Sequence, residues 1–179
     1  MKPNLNFPLA PTDYELLQQL RAGQVVSING TLLVARDQAH KRLVSLIEQN
    51  AVLPVDLHGQ IVYYMGPAPA RPGQVIGSCG PTTATRMDPF TPVLLDHGLK
   101  AMIGKGKRSP EVVEAMKRNG VVYFYAFGGC GALYASRVVE SSVLAFPDLG
   151  PEAILALKVN DFPVMVGIDV QGDSAFVKS

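Results

Sequence analysis

Between Gly77 and Asp88 the chain runs Gly-Ser-Cys-Gly-Pro-Thr-Thr-Ala-Thr-Arg-Met-Asp. Thr82 and Thr83 stand four and three residues ahead of Arg86. If Gly80-Pro81 ends a strand and the threonines open a helix, all three side chains project to neighbouring positions on one face. A helix start adds free backbone N–H groups and the positive end of a dipole, which favour an anion. Arginine grips a carboxylate through two parallel hydrogen bonds, which fix orientation as well as charge. The chemistry on offer is carboxylate binding. The same residues also fit an ordinary threonine N-cap pair beside an exposed arginine.

Two further stretches carry cations. Gly104-Lys105-Gly106-Lys107-Arg108-Ser109 follows the apolar run Ala101 to Ile103. Glycines on both sides of Lys105 let a ligand approach the backbone closely. It is not a phosphate-binding loop, because five residues separate Gly98 from Gly104 and a glycine follows Lys105. A basic surface turn fits as well, with Lys107 and Arg108 expected in solvent. In Ala35-Arg36-Asp37-Gln38-Ala39-His40, Arg36 sits where a strand gives way to a helix, a common place for functional side chains. Asp37 suits the N-cap, and His40 is expected to be a capping or core histidine. Gly128-Gly129-Cys130-Gly131 lacks the full dinucleotide fingerprint.

The elements that must hold these residues are marked by Gly and Pro. A short helix is expected over Thr12 to Leu20. Strands Val25 to Ile28 and Thr31 to Ala35 are joined by Asn29-Gly30, a hairpin signal. A helix follows over Ala39 to Glu48, then strands at Ile61 to Met65 and Gln74 to Ile76. The clearest helix is Pro110 to Asn119, with Ser109 as N-cap, Pro110 at the first position and Gly120 after the end. Val121 to Phe127 is a buried strand, and Ile154 to Val159 and Pro163 to Asp169 make a closing pair. The order predicts one α/β domain over residues 1–179, a mixed sheet with a helical layer.

Composition removes several classes of function. Sixteen Lys and Arg against fifteen Asp and Glu leave no basic excess for nucleic acid. No apolar run is long enough for a membrane helix, and the first ten residues do not resemble a signal peptide. Cytoplasm is the expected compartment. Cys79 and Cys130 lie far apart and are expected to be small packed residues beside glycines. A cubane iron–sulfur cluster takes three or four cysteines, so this chain is not expected to hold one alone.

Three segments, Arg36-Asp-x-Ala-His40, Gly80-Pro-Thr-Thr-x-x-Arg-Met-Asp88 and Ile103-Gly-Lys-Gly106, resemble the C-terminal domain of class I fumarases. In some members that domain is a separate β subunit, and the L-tartrate dehydratase β subunit is similar. The resemblance runs from about Leu9 to Ala175 and takes in Tyr64-Met-Gly-Pro67, Phe127-Gly-Gly-Cys-Gly-Ala-Leu133 and Phe162-Pro-Val-x-Val-x-Ile-Asp169. It implies a swivelling β/β/α domain and a partner α subunit that carries a four-iron, four-sulfur cluster. It also implies that Arg36, Thr82, Thr83, Arg86 and Lys105 face a small dicarboxylate, with Arg86, Lys105 and Thr82 acting in catalysis.

The activity implied is reversible hydration of fumarate to L-malate, with the cluster iron as Lewis acid. The three cations would stabilise charge that develops on proton abstraction; the general acid or base, expected largely from the partner, is not assigned to a residue here. An assembly of two α and two β subunits is expected. The full-length fumarases carry the cluster domain in the same chain, whereas this one starts at Met1; a natural separate subunit is expected, with an excised domain as the alternative. Tartrate dehydration is the alternative within the family. A non-catalytic carboxylate-binding or regulatory domain is the alternative outside it.

Overall fold

Short apolar strands and two long ones build the sheet, and amphipathic helices cover its outer face. The computed structural model describes residues 2–176; Met1 and residues 177–179 lie outside that range. In chain order come β1 (Asn4–Phe7), α1 (Glu15–Gln18), β2 (Val25–Val34), α2 (Asp37–Glu48), β3 (Ile61–Tyr63) and α3 (Thr91–Asp96). Then follow β4 (Ala101–Gly104), α4 (Pro110–Asn119), β5 (Val122–Tyr125), α5 (Gly131–Ala135), β6 (Val138–Ala145) and β7 (Ile154–Ile168). The fold is mixed α/β around one seven-stranded sheet in the order β1-β2-β3-β4-β5-β7-β6.

Strands β1 to β5 are parallel neighbours, and β7 runs antiparallel to β5, β6 and β2. The β2–β7 pairing closes β2, β3, β4, β5 and β7 into a ring. Alternate residues therefore serve two cores. Ile61, Tyr63, Ala101, Ile103, Val122 and Phe124 pack inside the ring with Val26, Ile28, Phe162 and Val164. Val62, Tyr64, Met102 and Tyr123 point the other way, onto Leu43, Leu94, Val112 and Met116 of the helices. Strands buried on both faces are why these runs are apolar throughout rather than alternating.

Helix α4 forms as its ends predict. Ser109 Oγ accepts a hydrogen bond from Val112 N, and Gly120 takes the left-handed conformation at φ 61°. Several expectations need correction. Asn29-Gly30 is not a hairpin, because β2 runs through it as one ten-residue strand. The glycine instead makes a bulge against β7, at φ 88°, where any Cβ would collide with the Phe7 carbonyl of β1. The two closing strands are one, the fifteen-residue β7, which pairs with β2 and β6 and then crosses to β5. Residues 74–76 form no strand. The threonine motif opens only a single 3₁₀ turn, Ala84–Met87, with Thr83 in the cap position and no side-chain cap bond.

Candidate functional site

Parallel strands deliver their carboxyl ends to one edge of the sheet, where ligands of open α/β folds gather. Here β2 ends before Arg36, β3 leads into Tyr64 to Gly66, and β4 ends at Gly104 before Lys105. The Thr82–Arg86 segment is laid across these ends by backbone bonds. Thr82 N donates to Tyr64 O at 2.8 Å, Lys105 N to Thr82 O at 3.4 Å, and Ala84 N to Lys105 O at 2.9 Å. Thr83 and Lys105 stand opposite one another in a parallel bridge. The structure thus brings all five expected residues, Arg36, Thr82, Thr83, Arg86 and Lys105, to one edge. It does so without the long helix that the sequence reading invoked, so backbone pairing rather than helical spacing sets their alignment.

Arg36 occupies the N-cap position of α2 in extended backbone, and its own side chain makes no cap bond. The side chain lies over Gly66, where a Cβ would collide with Nη1. Its Nε is buried and has no hydrogen-bond partner among the described residues. Neither Arg36 nor Lys105 forms an ion pair among the described residues, whereas Arg86 does. Arg86 Nε donates to Asp37 Oδ1 at 3.2 Å and Nη2 to Oδ2 at 2.9 Å. Asp37 is therefore the first helical residue and a partner of Arg86, not the N-cap expected. Three cations and one carboxylate leave the edge with a surplus of two positive charges.

Beneath this edge lies a set of residues that sequence reasoning missed. Arg108 is not in solvent, as expected, but buried. Its Nε donates to Asp88 Oδ1 at 2.7 Å, and its Nη2 to Thr91 Oγ1 at 2.9 Å and Tyr64 OH at 3.3 Å. The rings of Tyr64 and Tyr123 flank it, with centroids 5.2 and 5.0 Å from the guanidinium carbon. Desolvation opposes its charge, but Tyr64 and Asp88 outweigh that and raise its pKa. Asp88 Oδ2 also accepts from Ser109 N at 2.7 Å, which ties the Arg86 turn to the start of α4. Tyr123 OH donates to Gly106 O at 3.0 Å, steadying the loop that carries Lys105. The one signal in the sequence was Asp88 itself, the last residue of the threonine motif. Lys107 is exposed, as expected.

His40 is a core histidine. Nδ1 lies 2.7 Å from Arg36 O, and the ring meets Tyr64 edge-on at 5.4 Å. Burial lowers its pKa to about 4 despite the bond to the Arg36 carbonyl; Arg108 lowers it further and Asp37 raises it. The neutral ring donates from Nδ1 and steadies the Arg36 backbone.

Both cysteines are free thiols. Cys79 is buried, its Sγ donates to Gly77 O at 3.2 Å, and burial raises its pKa to about 11, so it stays a thiol. Cys130 is half-buried. Among the described residues no group of three or more His, Cys, Asp or Glu can hold a metal ion. No helix among them is long and apolar enough to cross a membrane. A cleft of about 600 Å³ opens beside Arg71, Gln74, Ser78 and Ser136, and one of about 620 Å³ beside Thr85, Asp88 and Glu111. None of the five expected site residues lines either one; Thr83 and Arg86 are exposed, and Arg36, Thr82 and Lys105 are half-buried.

Fold and edge together place the chain among α/β domains that present polar groups at the carboxyl ends of parallel strands. The chain belongs to the fumarase C-terminus family, whose model matches residues 4–179. It is 38% identical over 181 residues to the anaerobic class I fumarate hydratase of Escherichia coli K12, which covers 98% of this chain and 32% of that protein. Fumarate hydratase 2 of Leishmania major is 38% identical over 165 residues, 91% of this chain and 29% of that one. The chain thus spans under a third of the length of these two relatives. A protein of Methanocaldococcus jannaschii, provisionally named the L(+)-tartrate dehydratase subunit beta, is 36% identical over 166 residues, 89% of this chain and 85% of that one.

Proposed function

We propose that this chain is the β subunit of a class I fumarate hydratase and supplies the substrate-binding half of its active site. The observation that carries this reading is the convergence of Arg36, Arg86 and Lys105 with Thr82 and Thr83 on one open edge. The surplus of two positive charges there matches a dicarboxylate. Arg86 and Arg36 bind carboxylate oxygens through charge-assisted hydrogen bonds. Thr82 and Thr83 orient those oxygens, and Lys105 stabilises the charge that develops when a proton is withdrawn. An open edge, rather than an enclosed pocket, fits a site completed by a second chain. A four-iron, four-sulfur cluster does not fit the two thiols here and is assigned to that partner, an α subunit, in an assembly of two copies of each.

The reaction proposed is reversible hydration of fumarate to L-malate. Tartrate dehydration is kept as a second reading, because the chain spans most of the Methanocaldococcus relative and under a third of each of the two fumarate hydratases compared above. Anaerobic co-expression with a candidate cysteine-bearing partner chain tests both. Fumarate formed from L-malate, followed by the ultraviolet absorbance of its double bond, is expected only from the reconstituted complex. Turnover of tartrate alone moves the assignment to the second reading. Carboxylate binding by the isolated chain, with neither complex nor turnover, makes it a binding module instead.

A further inference from the structure

We propose that Asp37 is a positioning residue for substrate, holding the Arg86 guanidinium by its side edge so that its end remains free to receive a carboxylate. The inference rests on the reading that Arg86 binds substrate. Arg86 comes from a single 3₁₀ turn, and its side chain is 51% exposed. Nothing in that turn fixes a long, flexible arm. Asp37 is better anchored: it is the first helical residue of α2, and its side chain is 26% exposed. An acid there is favoured by the helix dipole.

The geometry decides which part of the guanidinium is used. Asp37 takes Nε and Nη2, the side edge, through two hydrogen bonds. Of five guanidinium N–H groups, both on Nη1 and one on Nη2 remain. Those on the end of the fork can take a second carboxylate through two parallel bonds. Holding the fork beforehand removes an ordering cost that substrate would otherwise meet. An exposed ion pair adds little to stability, so the consequence of this one falls on binding.

The sign of the effect separates positioning from simple charge. Among the described residues, Asp37 is the one acid paired with the site's cations. If it acted only through its charge, removing it would strengthen binding of a dianion. If it holds the fork, removing it weakens binding. The experiment is steady-state kinetics with L-malate on the reconstituted complex, for Asp37→Ala, Asp37→Asn, Arg86→Ala and the double variant. Asp37→Ala is expected to raise KM about tenfold with a smaller change in kcat. Asp37→Asn, which keeps one acceptor oxygen, recovers part of that. The double variant matches Arg86→Ala, because Asp37 acts through Arg86.

In the isolated chain, the Arg86 Nε–H proton resonance is expected to be protected from solvent exchange and to lose that protection in Asp37→Ala. A KM that is unchanged or lower in Asp37→Ala overturns this proposal alone. So does a double variant whose losses add. Wild-type kinetics in Arg86→Ala overturns both this proposal and the reading beneath it.

Discussion

Two of the molecule's Arg–Asp pairs, one beneath the site and one in it, have surroundings that give them different work. In Arg108–Asp88 the side chains are 0% and 10% exposed, and every polar neighbour is engaged: Thr91, Tyr64 and the Ser109 amide. In Arg86–Asp37 the arginine stands half in solvent with one edge of its fork unused. A buried charge needs every partner it has, because losing one leaves the rest desolvated. An exposed one can exchange partners with water or a ligand at little cost. The first pair is a fixed post under the site, and the second is a contact at its mouth.

The comparison breaks most visibly at Asp88. Asp88→Ala leaves the Arg108 charge uncompensated among Tyr64, Tyr123 and Met102. A loss of roughly 3–5 kcal/mol is expected in urea unfolding. Replacing both partners with apolar residues of similar size restores much of it, because no orphaned charge remains. If Asp88→Ala unfolds at the wild-type urea midpoint, the post is not structural.

Arg86→Ala is the opposite case. Its unfolding midpoint is expected to stay within about 1 kcal/mol of wild type. In the reconstituted enzyme, kcat/KM falls by the equivalent of several kcal/mol, on the order of a lost charge-assisted contact in the transition state. Full activity in a folded Arg86→Ala complex removes Arg86 from the site and the comparison with it.

The residues that divide post from mouth were unequally legible in the sequence. Arg86, Thr82 and Thr83 stood out because their chemistry is written within one short string. Lys105 and Arg36 came forward through resemblance, since a basic turn and a strand end look alike whether or not they bind. Arg108 was misplaced because a run of Lys107 and Arg108 looks like a solvated turn, and its burial depends on Asp88, twenty residues away. Asp37 was assigned to a cap for the same reason: its real partner is forty-nine residues distant. The helix α4 was legible because its caps are local. Asn29-Gly30 misled because a bulge glycine and a turn glycine carry the same dipeptide. What separates them is the close approach of β1, which no local pattern records.

His40 lies between the two pairs and sharpens the comparison by pH. Arg108 lowers its pKa and Asp37 raises it, while burial dominates and brings it to about 4. An unfolded histidine titrates near 6.5. Between those values the unfolded chain takes up a proton that the folded chain refuses, so stability falls as pH falls. From pH 7 to pH 5 the loss is about 2 kcal/mol by linkage. His40→Leu is expected to flatten that stretch of the urea midpoint against pH. An unchanged slope in the variant assigns the pH dependence to other groups.

The smallest effect separates two glycines. At Gly104 an added Cβ would meet Tyr64 Cδ2 at 2.9 Å and Ala84 Cβ at 3.2 Å, packed groups around the Arg108 post. At Gly66 the three nearest atoms all belong to the long side chain of Arg36: Nη1, Cζ and Cδ. Packed walls yield poorly, so Gly104→Ala is expected to cost roughly 1–3 kcal/mol of stability. A long side chain can swing aside, so Gly66→Ala is expected to cost less than about 1 kcal/mol. Its consequence belongs at the mouth: Arg36 is displaced from its resting place, and KM for the dicarboxylate rises a few-fold with the unfolding midpoint nearly fixed. If Gly66→Ala instead destabilises as much as Gly104→Ala, Arg36 is as firmly packed as Arg108. The edge would then be a second post rather than an open mouth.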